Sequence, residues 1–208
     1  MLSIQDIQLP LAGWTEIEPA DRTRRWRNAA GDQLTLDFFG LVPDLPEGPE
    51  TIRALRGFYR DALGGSGGIV EVEPTVVAGI RSAQAIFKIP QQPSGMTYLA
   101  AVTIPFRECS FVIKWQCPEN GTTGMRDAVV FALVAPPLDD ATGVPRGWAQ
   151  DPYDPSHRSA ALRNRADDTE WDARFPTHPL SRVRGYLRTL GDVRLSARAG
   201  SEPRFAHL

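Results

Sequence analysis

The sequence predicts an α+β fold: an antiparallel β-sheet of about six or seven strands flanked by two helices in an α/β/α-like sandwich, followed by an irregular C-terminal extension. Three observations support this prediction. Residues 83–117 alternate between apolar and polar side chains with a period of two, which is typical of strands. Two segments, 49–63 and 121–134, carry apolar residues at helical spacing. After residue 135 the apolar density falls, and Asp, Arg and Pro become frequent.

Three short strands are predicted in the first 40 residues. They span residues 14–17, 23–27 and 33–39. The turn at 28–32 contains Gly31, which adopts a positive φ without steric cost, so the last two strands are expected to form a hairpin.

A Pro-rich connector, residues 41–48, leads to the first predicted helix. This helix is expected to run from Pro49 to Leu63, with Glu50 in the first turn, where it complements the helix dipole. The glycine-rich segment 64–68 comes after a helix and before a strand. Phosphate-binding loops have the reverse order, so this segment indicates a turn.

The central segment is predicted to be a meander of antiparallel strands. Strands are expected at 69–73, 83–89, 97–104 and 109–117, with 75–80 continuing or pairing with the first of them. On one side the last strand carries Cys109, Phe111, Ile113, Trp115 and Cys117, and on the other side Val112, Lys114 and Gln116. The odd-numbered side is therefore expected to face a core.

Both cysteines lie on this apolar side. Cys109 and Cys117 are eight residues apart, which is about 26 Å at about 3.3 Å per residue of an extended strand. A disulfide requires Cα atoms within about 7 Å, so the two thiols do not bridge each other. We expect both to be reduced and to pack as small apolar groups, which indicates a cytoplasmic protein.

A second amphipathic helix is predicted between residues 121 and 134. Its apolar side comprises Met125, Ala128, Val129, Ala132 and Leu133, and Pro136 follows its end. We expect this helix and the helix 49–63 to cover the odd-numbered side of strand 109–117. The even-numbered side is then left for the extension and for a partner protein.

Residues 136–208 are expected to form an irregular extension that docks on a domain comprising residues 1–135. The extension is too rich in aromatic residues for a disordered tail. These residues are Trp148, Tyr153, Trp171 and Phe175. The apolar spacing between Leu180 and Leu190 predicts a short helix, and residues 193–197 predict a final strand.

Charge and composition narrow the classes of partner. The formal net charge is −2, and nucleic-acid binding usually requires a basic surface, so we predict no nucleic acid as a partner. No apolar run approaches the roughly 20 residues of a membrane span. Residues 1–14 lack the basic and apolar regions of a signal peptide, which again favours the cytoplasm.

One cluster is rich in side chains of the metal-binding types. It comprises Asp151, Asp154, His157, Asp167, Asp168, Asp172 and His178. Carboxylates suit calcium or magnesium, and His with Asp suits several transition metals. However, eleven arginines share residues 139–208 with ten carboxylates, so ion pairing is the preferred interpretation and no cofactor is predicted. A metal site at Asp167, Asp168, Asp172 and His178 is the alternative.

Two polar loops and one strand face supply the candidate binding residues. The loops with the start of the second helix contribute Gln91, Gln92, Ser94, Thr122, Thr123 and Arg126, and the even-numbered strand side contributes Lys114 and Gln116. Simple turns also explain the two loops. Neither G-x-S-x-G nor a cysteine with histidine and acid partners is recognisable, so no catalytic residue is predicted.

The order of the predicted elements resembles the Mog1/PsbP-like fold. The resemblance lies within residues 10–135, in the segments LTLDFF, IRALRGFYRDALGG, VEVE, GIRSAQAIFK, MTYLAAVTIPF, SFVIKWQC and TTGMRDAVVFALV. Bacterial members of this family include small domains of unknown function and effector chaperones of secretion systems. The resemblance implies a binding or adaptor role in a bacterial protein and brings no shared catalytic residues.

The predicted function is non-enzymatic protein binding, as a chaperone, adaptor or accessory subunit of another protein. It rests on the missing catalytic constellation and on the mixed polarity of the sheet. The alternative is an enzyme, or a protein that binds a small ligand or metal through the two polar loops or the acidic cluster. The identity of the partner and association into a homo-oligomer stay open.

Overall fold

The computed structural model describes residues 2–46 and 51–203. Its strands are β1 (Ile7–Gln8), β2 (Trp14–Pro19), β3 (Thr23–Asn28), β4 (Gln33–Phe39), β5 (Gly68–Val77), β6 (Ile80–Pro90), β7 (Met96–Pro105), β8 (Ser110–Pro118) and β9 (Arg194–Leu195). Seven strands form one antiparallel sheet in the order β2-β3-β4-β8-β7-β6-β5, and β1 pairs with β9. The predicted α+β fold class is confirmed.

Four α-helices accompany the sheets in the part of the chain that the structure describes. They are α1 (Thr51–Leu63), α2 (Met125–Val134), α3 (Pro179–Leu187) and α4 (Ala197–Ser201). The residues predicted to begin the first helix, Pro49 and Glu50, lie outside the described residues. The short helix predicted in the extension is α3, and a 3-10 turn over Arg188–Asp192 continues it.

One face of the large sheet, here called face A, carries the main core. Leu34, Trp115 and Ala100 lie opposite one another on β4, β8 and β7 and are buried. Helix α3 covers this face, and its Leu180 and Val183 are fully buried in the same cluster. Face A collects buried apolar side chains from six of the seven strands, and the partly buried Trp14 of β2 packs against them. This burial explains the clear alternation in the sequence.

The opposite face, face B, is covered differently along its length. Over β5 and β6, helix α1 packs Leu55 into a second cluster that includes Val72 and Phe87. Over β4 and β8, face B presents polar side chains such as Lys114, whose ammonium lies 2.7 Å from the carboxylate of Asp37. Face B is thus apolar at one end and polar at the other.

The extension protects the β5 edge of the sheet. The Tyr153 hydroxyl accepts a hydrogen bond from the backbone amide of Val72 (2.8 Å) and donates to the carbonyl of the same residue (3.3 Å). A Cβ at Gly68 would lie 1.5 Å from the carbonyl oxygen of Ala161. The extension therefore covers part of the β5 edge and satisfies the backbone groups of Val72, which would otherwise be open to another chain.

The expected cover of the odd-numbered side of β8 is wrong for both predicted helices. Helix α3 of the extension covers the odd-numbered side of β8, with its Phe111, whereas α1 packs on face B and α2 packs on the extension. The physical reason is that α2 carries a buried arginine, Arg126, whose hydrogen-bonding partners lie in the extension. The spacing of apolar residues contains no information about such distant partners.

The cysteines lie where the alternation placed them. Cys109 and Cys117 are both buried and neither forms a disulfide, and burial raises the pKa of both thiols. Within residues 2–46 and 51–203, no helix has the length and apolar character that crossing a lipid bilayer requires.

Candidate functional site

Helix α2 is held in place from both of its ends. Gly124 precedes it in the left-handed conformation (φ 71°), and its backbone amide donates a hydrogen bond to the carboxylate of Glu119 (3.1 Å). Ala135, also left-handed (φ 44°), closes the helix through a bond to the carbonyl of Phe131. A proline at 136 then prevents continuation. The ten-residue helix therefore has fixed boundaries.

The inner side of α2 is anchored by a charge. The guanidinium of Arg126 donates to the carbonyls of Ala166 (2.6 Å) and Asp168 (3.0 Å), to the Ser181 hydroxyl (2.8 Å) and to the Asp172 carboxylate (3.1 Å). The side chain is 1% exposed. A buried charge is tolerated only when its donors are satisfied, so these bonds fix the rotation of α2 about its axis.

Neighbouring residues complete the inner contact. The side-chain amide of Asn164 donates to the carboxylate of Asp127 (2.8 Å), and burial raises the pKa of that carboxyl. Val130 is fully buried, and the ring of Phe131 meets that of Trp148 edge to face at 4.9 Å. The polar residues of α2 are thus turned toward the protein.

The outer side of α2 is apolar and faces solvent. Its exposed side chains are Met125, Ala128, Val129, Ala132 and Leu133, here called the outer stripe. Met125 is 52%, Val129 38% and Leu133 56% exposed. These are the residues that the sequence analysis placed against the sheet. Contiguous exposed apolar groups on a folded chain mark interaction surfaces more often than scattered ones do.

A cleft opens at the N-terminal end of the outer stripe. It has a volume of about 340 Å³ and lies between the loop 119–124 and residues 174–182. Met125 lines the cleft and also begins the outer stripe, so the two surfaces are continuous. Three arginines and one carboxylate line the cleft: Arg126, Arg174, Arg182 and Glu119.

Glu119 and His178 connect the two walls of the cleft. Glu119 accepts hydrogen bonds from the backbone amides of Met96 (2.8 Å) and Gly124 (3.1 Å), and its carboxylate lies 3.5 Å from Nε2 of His178. Burial alone would raise the pKa of Glu119, but the hydrogen bond from His178 and the two amide bonds outweigh it and lower the pKa. Nδ1 of His178 accepts from the amide of Leu180. With both ring nitrogens engaged, the pair connects loop and helix and leaves no free base.

The two predicted polar loops do meet. The hydroxyls of Ser94 and Thr123 are 3.1 Å apart, and the side-chain amide of Gln91 donates to the carbonyl of Glu119 (2.8 Å). Gln92 and Thr122 are exposed, and Thr122 lines the cleft. The loops therefore lie beside the N-terminal end of α2.

The remaining predicted binding residues lie elsewhere. Lys114 and Gln116 are on face B, on the strand that follows β7 in the chain. Arg126 is buried on the inner side of α2, and each of its three guanidinium nitrogens donates a hydrogen bond, so it supports the helix from inside.

The alternative metal set is distributed over separate ion pairs. The carboxylate of Asp167 binds the ammonium of Lys88 (2.7 Å) in the interior, Asp168 pairs with Arg163, and Asp172 pairs with Arg126. In the described segments, no group of three or more His, Cys, Asp or Glu side chains is arranged to hold a metal ion.

Two features of this surface were not predicted from the sequence. One is the exposure of the outer stripe, and the other is Arg174 at its end. The available signal was the pair Arg126–Asp127 inside an otherwise apolar helix. Two adjacent charged residues in a short apolar helix indicate that the side carrying them has polar partners.

Comparisons with known proteins found no matching family model and no matching curated protein. Among solved structures, the Saccharomyces cerevisiae Ran-binding protein Mog1p is 12% identical with a TM-score of 0.41, over 62% of this chain and 78% of that one. Cyanobacterial PsbP from Synechocystis is 13% identical with a TM-score of 0.36, over 59% of this chain and 77% of that one.

A protein of Bacteroides thetaiotaomicron is 13% identical with a TM-score of 0.36, and the match covers 56% of this chain and 39% of that protein. The solved structures thus include both proteins after which the Mog1/PsbP-like fold is named. The likeness concerns the fold alone.

Proposed function

We propose that this protein is a non-enzymatic protein-binding module and that the outer stripe of α2 is its contact surface. The observation that carries the proposal is the composition of that surface: five exposed side chains on one side of a helix, all of them apolar. Both charged residues of α2, Arg126 and Asp127, are held from within by the extension.

The energetic argument concerns the cost of leaving these groups in water. Fully burying a side chain such as Leu or Met contributes about 1.5–3 kcal/mol relative to full exposure. Met125 and Leu133 are each about half exposed, so a partner that covers them gains on the order of 1 kcal/mol from each. Together with the contacts of Val129 this supplies an apolar interface centre.

The rigidity of α2 supports the same role. A surface that is already ordered loses little conformational entropy when a partner binds. The four groups that accept hydrogen bonds from Arg126 hold α2 in one orientation before any partner arrives. The exposed polar residues Gln92, Ser94 and Thr122 provide a hydrophilic rim next to it.

Within this proposal the chain acts as an adaptor or chaperone that holds another protein. We place it in the cytoplasm of a bacterial cell, where Cys109 and Cys117 stay reduced. The polar end of face B, with Lys114 and Gln116, is a separate and more hydrophilic surface.

The proposal is tested by a pair of matched valine substitutions. Val129 lies in the centre of the outer stripe, and Val76 is an exposed valine on β5, 62% exposed. Tagged wild-type protein, Val129→Glu and Val76→Glu are used to recover binding proteins from the native host. We expect one stoichiometric protein with the wild type and Val76→Glu, and its loss with Val129→Glu.

Stability is the control for this comparison, because substitutions of exposed residues usually change the free energy of unfolding by no more than about 0.5 kcal/mol. The proposal is contradicted if a folded Val129→Glu variant recovers the same protein. It is also contradicted if the wild type recovers no stoichiometric protein.

A further inference from the structure

The outer stripe has the ridges and grooves of a helix-packing surface. Met125, Val129 and Leu133 are four residues apart and form a ridge, and Ala128 and Ala132 form a lower row beside it. Rows of residues four apart are the ridges and grooves through which helices most often pack in globular proteins. The small alanine side chains leave a groove that fits a ridge of a second helix.

Arg174 supplies a charge at one end of this groove. It is exposed and lines the cleft together with Met125. Its guanidinium lies 5.4 Å from the ring centre of Trp171. Over the ranges 2–46 and 51–203, no carboxylate lies within ion-pairing distance of it.

The other charged side chains of the cleft already have hydrogen-bonding partners within the described part of the chain. Arg182 binds the carboxylate of Asp32 through two hydrogen bonds, and Arg126 binds Asp172. Glu119 is held by His178 and two backbone amides. Among the charged side chains that line the cleft, Arg174 is therefore the one for which the described residues supply no hydrogen-bonding or ion-pair partner.

We propose that the occupant of the outer stripe is an amphipathic α-helix of another protein, which sets an apolar ridge into the Ala128–Ala132 groove and places an acidic side chain on Arg174. This inference rests on the proposed function. Since the stripe itself offers no polar side chain, the contact with Arg174 fixes the direction in which the partner helix lies.

A second copy of this chain fits less well. In an antiparallel pair of α2 helices, Arg174 meets the far end of the other helix. Residues 130–138 contain no acidic side chain there, and Asp139 is already paired with Arg146 (2.9 Å), so Asp140 is the one carboxylate that a second copy could offer. In a parallel pair, two Arg174 side chains approach each other and repel. The charge pattern thus favours a different protein.

The test uses a displayed library of helical peptides with random surface positions. It is selected on the wild-type protein and depleted on Val129→Glu, so that only binders of the outer stripe remain. We expect the enriched peptides to have apolar residues at i, i+4 and i+8 and an acidic residue near one end. Enrichment of peptides without an acidic residue, of non-helical peptides, or of none overturns the inference.

The best peptide is then measured against Arg174→Glu and Arg81→Glu. Arg81 is an exposed arginine on β6 and serves as the matched control. Exposed charge pairs contribute up to about 1 kcal/mol, so we expect binding to weaken about fivefold with Arg174→Glu and to stay unchanged with Arg81→Glu. A peptide in which the acidic residue is replaced by lysine should prefer Arg174→Glu over the wild type.

Equal binding of both peptides to the wild type overturns the inference. So does a concentration-dependent dimer in sedimentation that Val129→Glu abolishes. If the host protein is lost with Val129→Glu but retained with Arg174→Glu, the outer stripe is an interface and only the acidic helix is wrong. If the host protein is retained by both Val129→Glu and Arg174→Glu, the proposed function is contradicted as well.

Discussion

Helices α2 and α3 are of similar length and both carry apolar residues at helical spacing, yet they face the protein in opposite ways. α3 buries its apolar side chains on face A, among them Leu180, Val183 and Leu187. α2 exposes Met125, Val129 and Leu133 and buries Arg126 and Val130. Spacing shows which side chains share one side of a helix, and the partners of its polar residues determine which side turns inward.

Both helices are also fixed by an arginine and an aspartate, but with different consequences. Arg182 of α3 binds Asp32 in the turn between β3 and β4, which places α3 against the sheet. Arg126 of α2 binds carbonyls and Asp172 of the extension, which places α2 away from the sheet. Each helix thus combines its buried apolar contacts with an ion pair to the part of the protein on which it packs.

Ending the chain after Ala135 should give the largest loss of stability. This truncation uncovers face A, because it removes Leu180, Val183 and the other buried residues of α3 and the segment after it. Each fully buried side chain contributes about 1.5–3 kcal/mol, against a total stability of about 5–15 kcal/mol. We expect aggregation, binding of the dye ANS and loss of a cooperative unfolding transition in urea.

A soluble truncated chain with a cooperative transition would contradict this expectation. It would show that residues 1–135 fold as an independent domain and that the extension is an appendage.

Replacing one leucine in each helix sharpens the comparison. Leu180→Ala removes a fully buried side chain and should lower the free energy of unfolding by about 2–5 kcal/mol. Leu133→Ala truncates a side chain that is 56% exposed, and it should change the free energy of unfolding by no more than about 0.5 kcal/mol. Urea unfolding measures both. Similar losses for the two variants would mean that the outer stripe is buried in solution.

The strands could be predicted from the sequence because one face of the sheet is buried along nearly its whole width. The alternation around Phe111 and Trp115 and the turn at Gly31 report local geometry, and they place the meander and the hairpin correctly. The cover of the sheet depends on contacts between distant residues. The Lys88–Asp167 pair joins residues 79 positions apart, and composition does not show which arginine or lysine meets which carboxylate.

The candidate site was predictable to a similar extent. The meeting of the polar loops, through Ser94 and Thr123, follows from adjacent strand ends. The burial of Arg126 and the exposure of Leu133 do not, since both depend on where the extension lies.

Asp32→Asn tests the anchor of α3. Burial alone would raise the pKa of Asp32, but hydrogen bonds from Arg182 and Tyr186 outweigh it and hold the pKa below its ordinary value. A lowered folded-state pKa contributes stability that is present above the ordinary value of about 3.9 and is lost as pH falls through the folded-state pKa. At neutral pH the variant should lose about 1–3 kcal/mol, because it leaves Arg182 without its charged partner.

The difference in the free energy of unfolding between wild type and Asp32→Asn should therefore become smaller as the pH falls. Urea unfolding at several pH values measures this difference. A difference that stays constant down to the acid limit would show that the carboxylate keeps its ordinary pKa and that the anchor is not ionic.

Asp127→Asn, in α2, should give the smallest effect and the opposite pH dependence. Burial raises the pKa of Asp127, with Lys88 opposing and Asp167 adding to the rise. Because the folded-state pKa lies above the ordinary value, the stability of the wild type falls as pH rises from about 4 through the folded-state pKa and is constant beyond it.

The Asp127→Asn variant has no such loss of stability, and its side-chain amide oxygen can still accept the hydrogen bond from Asn164. Between about pH 4 and pH 7 its stability should therefore fall less than that of the wild type, and at pH 7 it should equal or exceed it by no more than about 0.5 kcal/mol. A clear loss of stability at neutral pH would instead mean that Asn164 needs a charged acceptor, and that α2, like α3, is directed by a carboxylate with a lowered pKa.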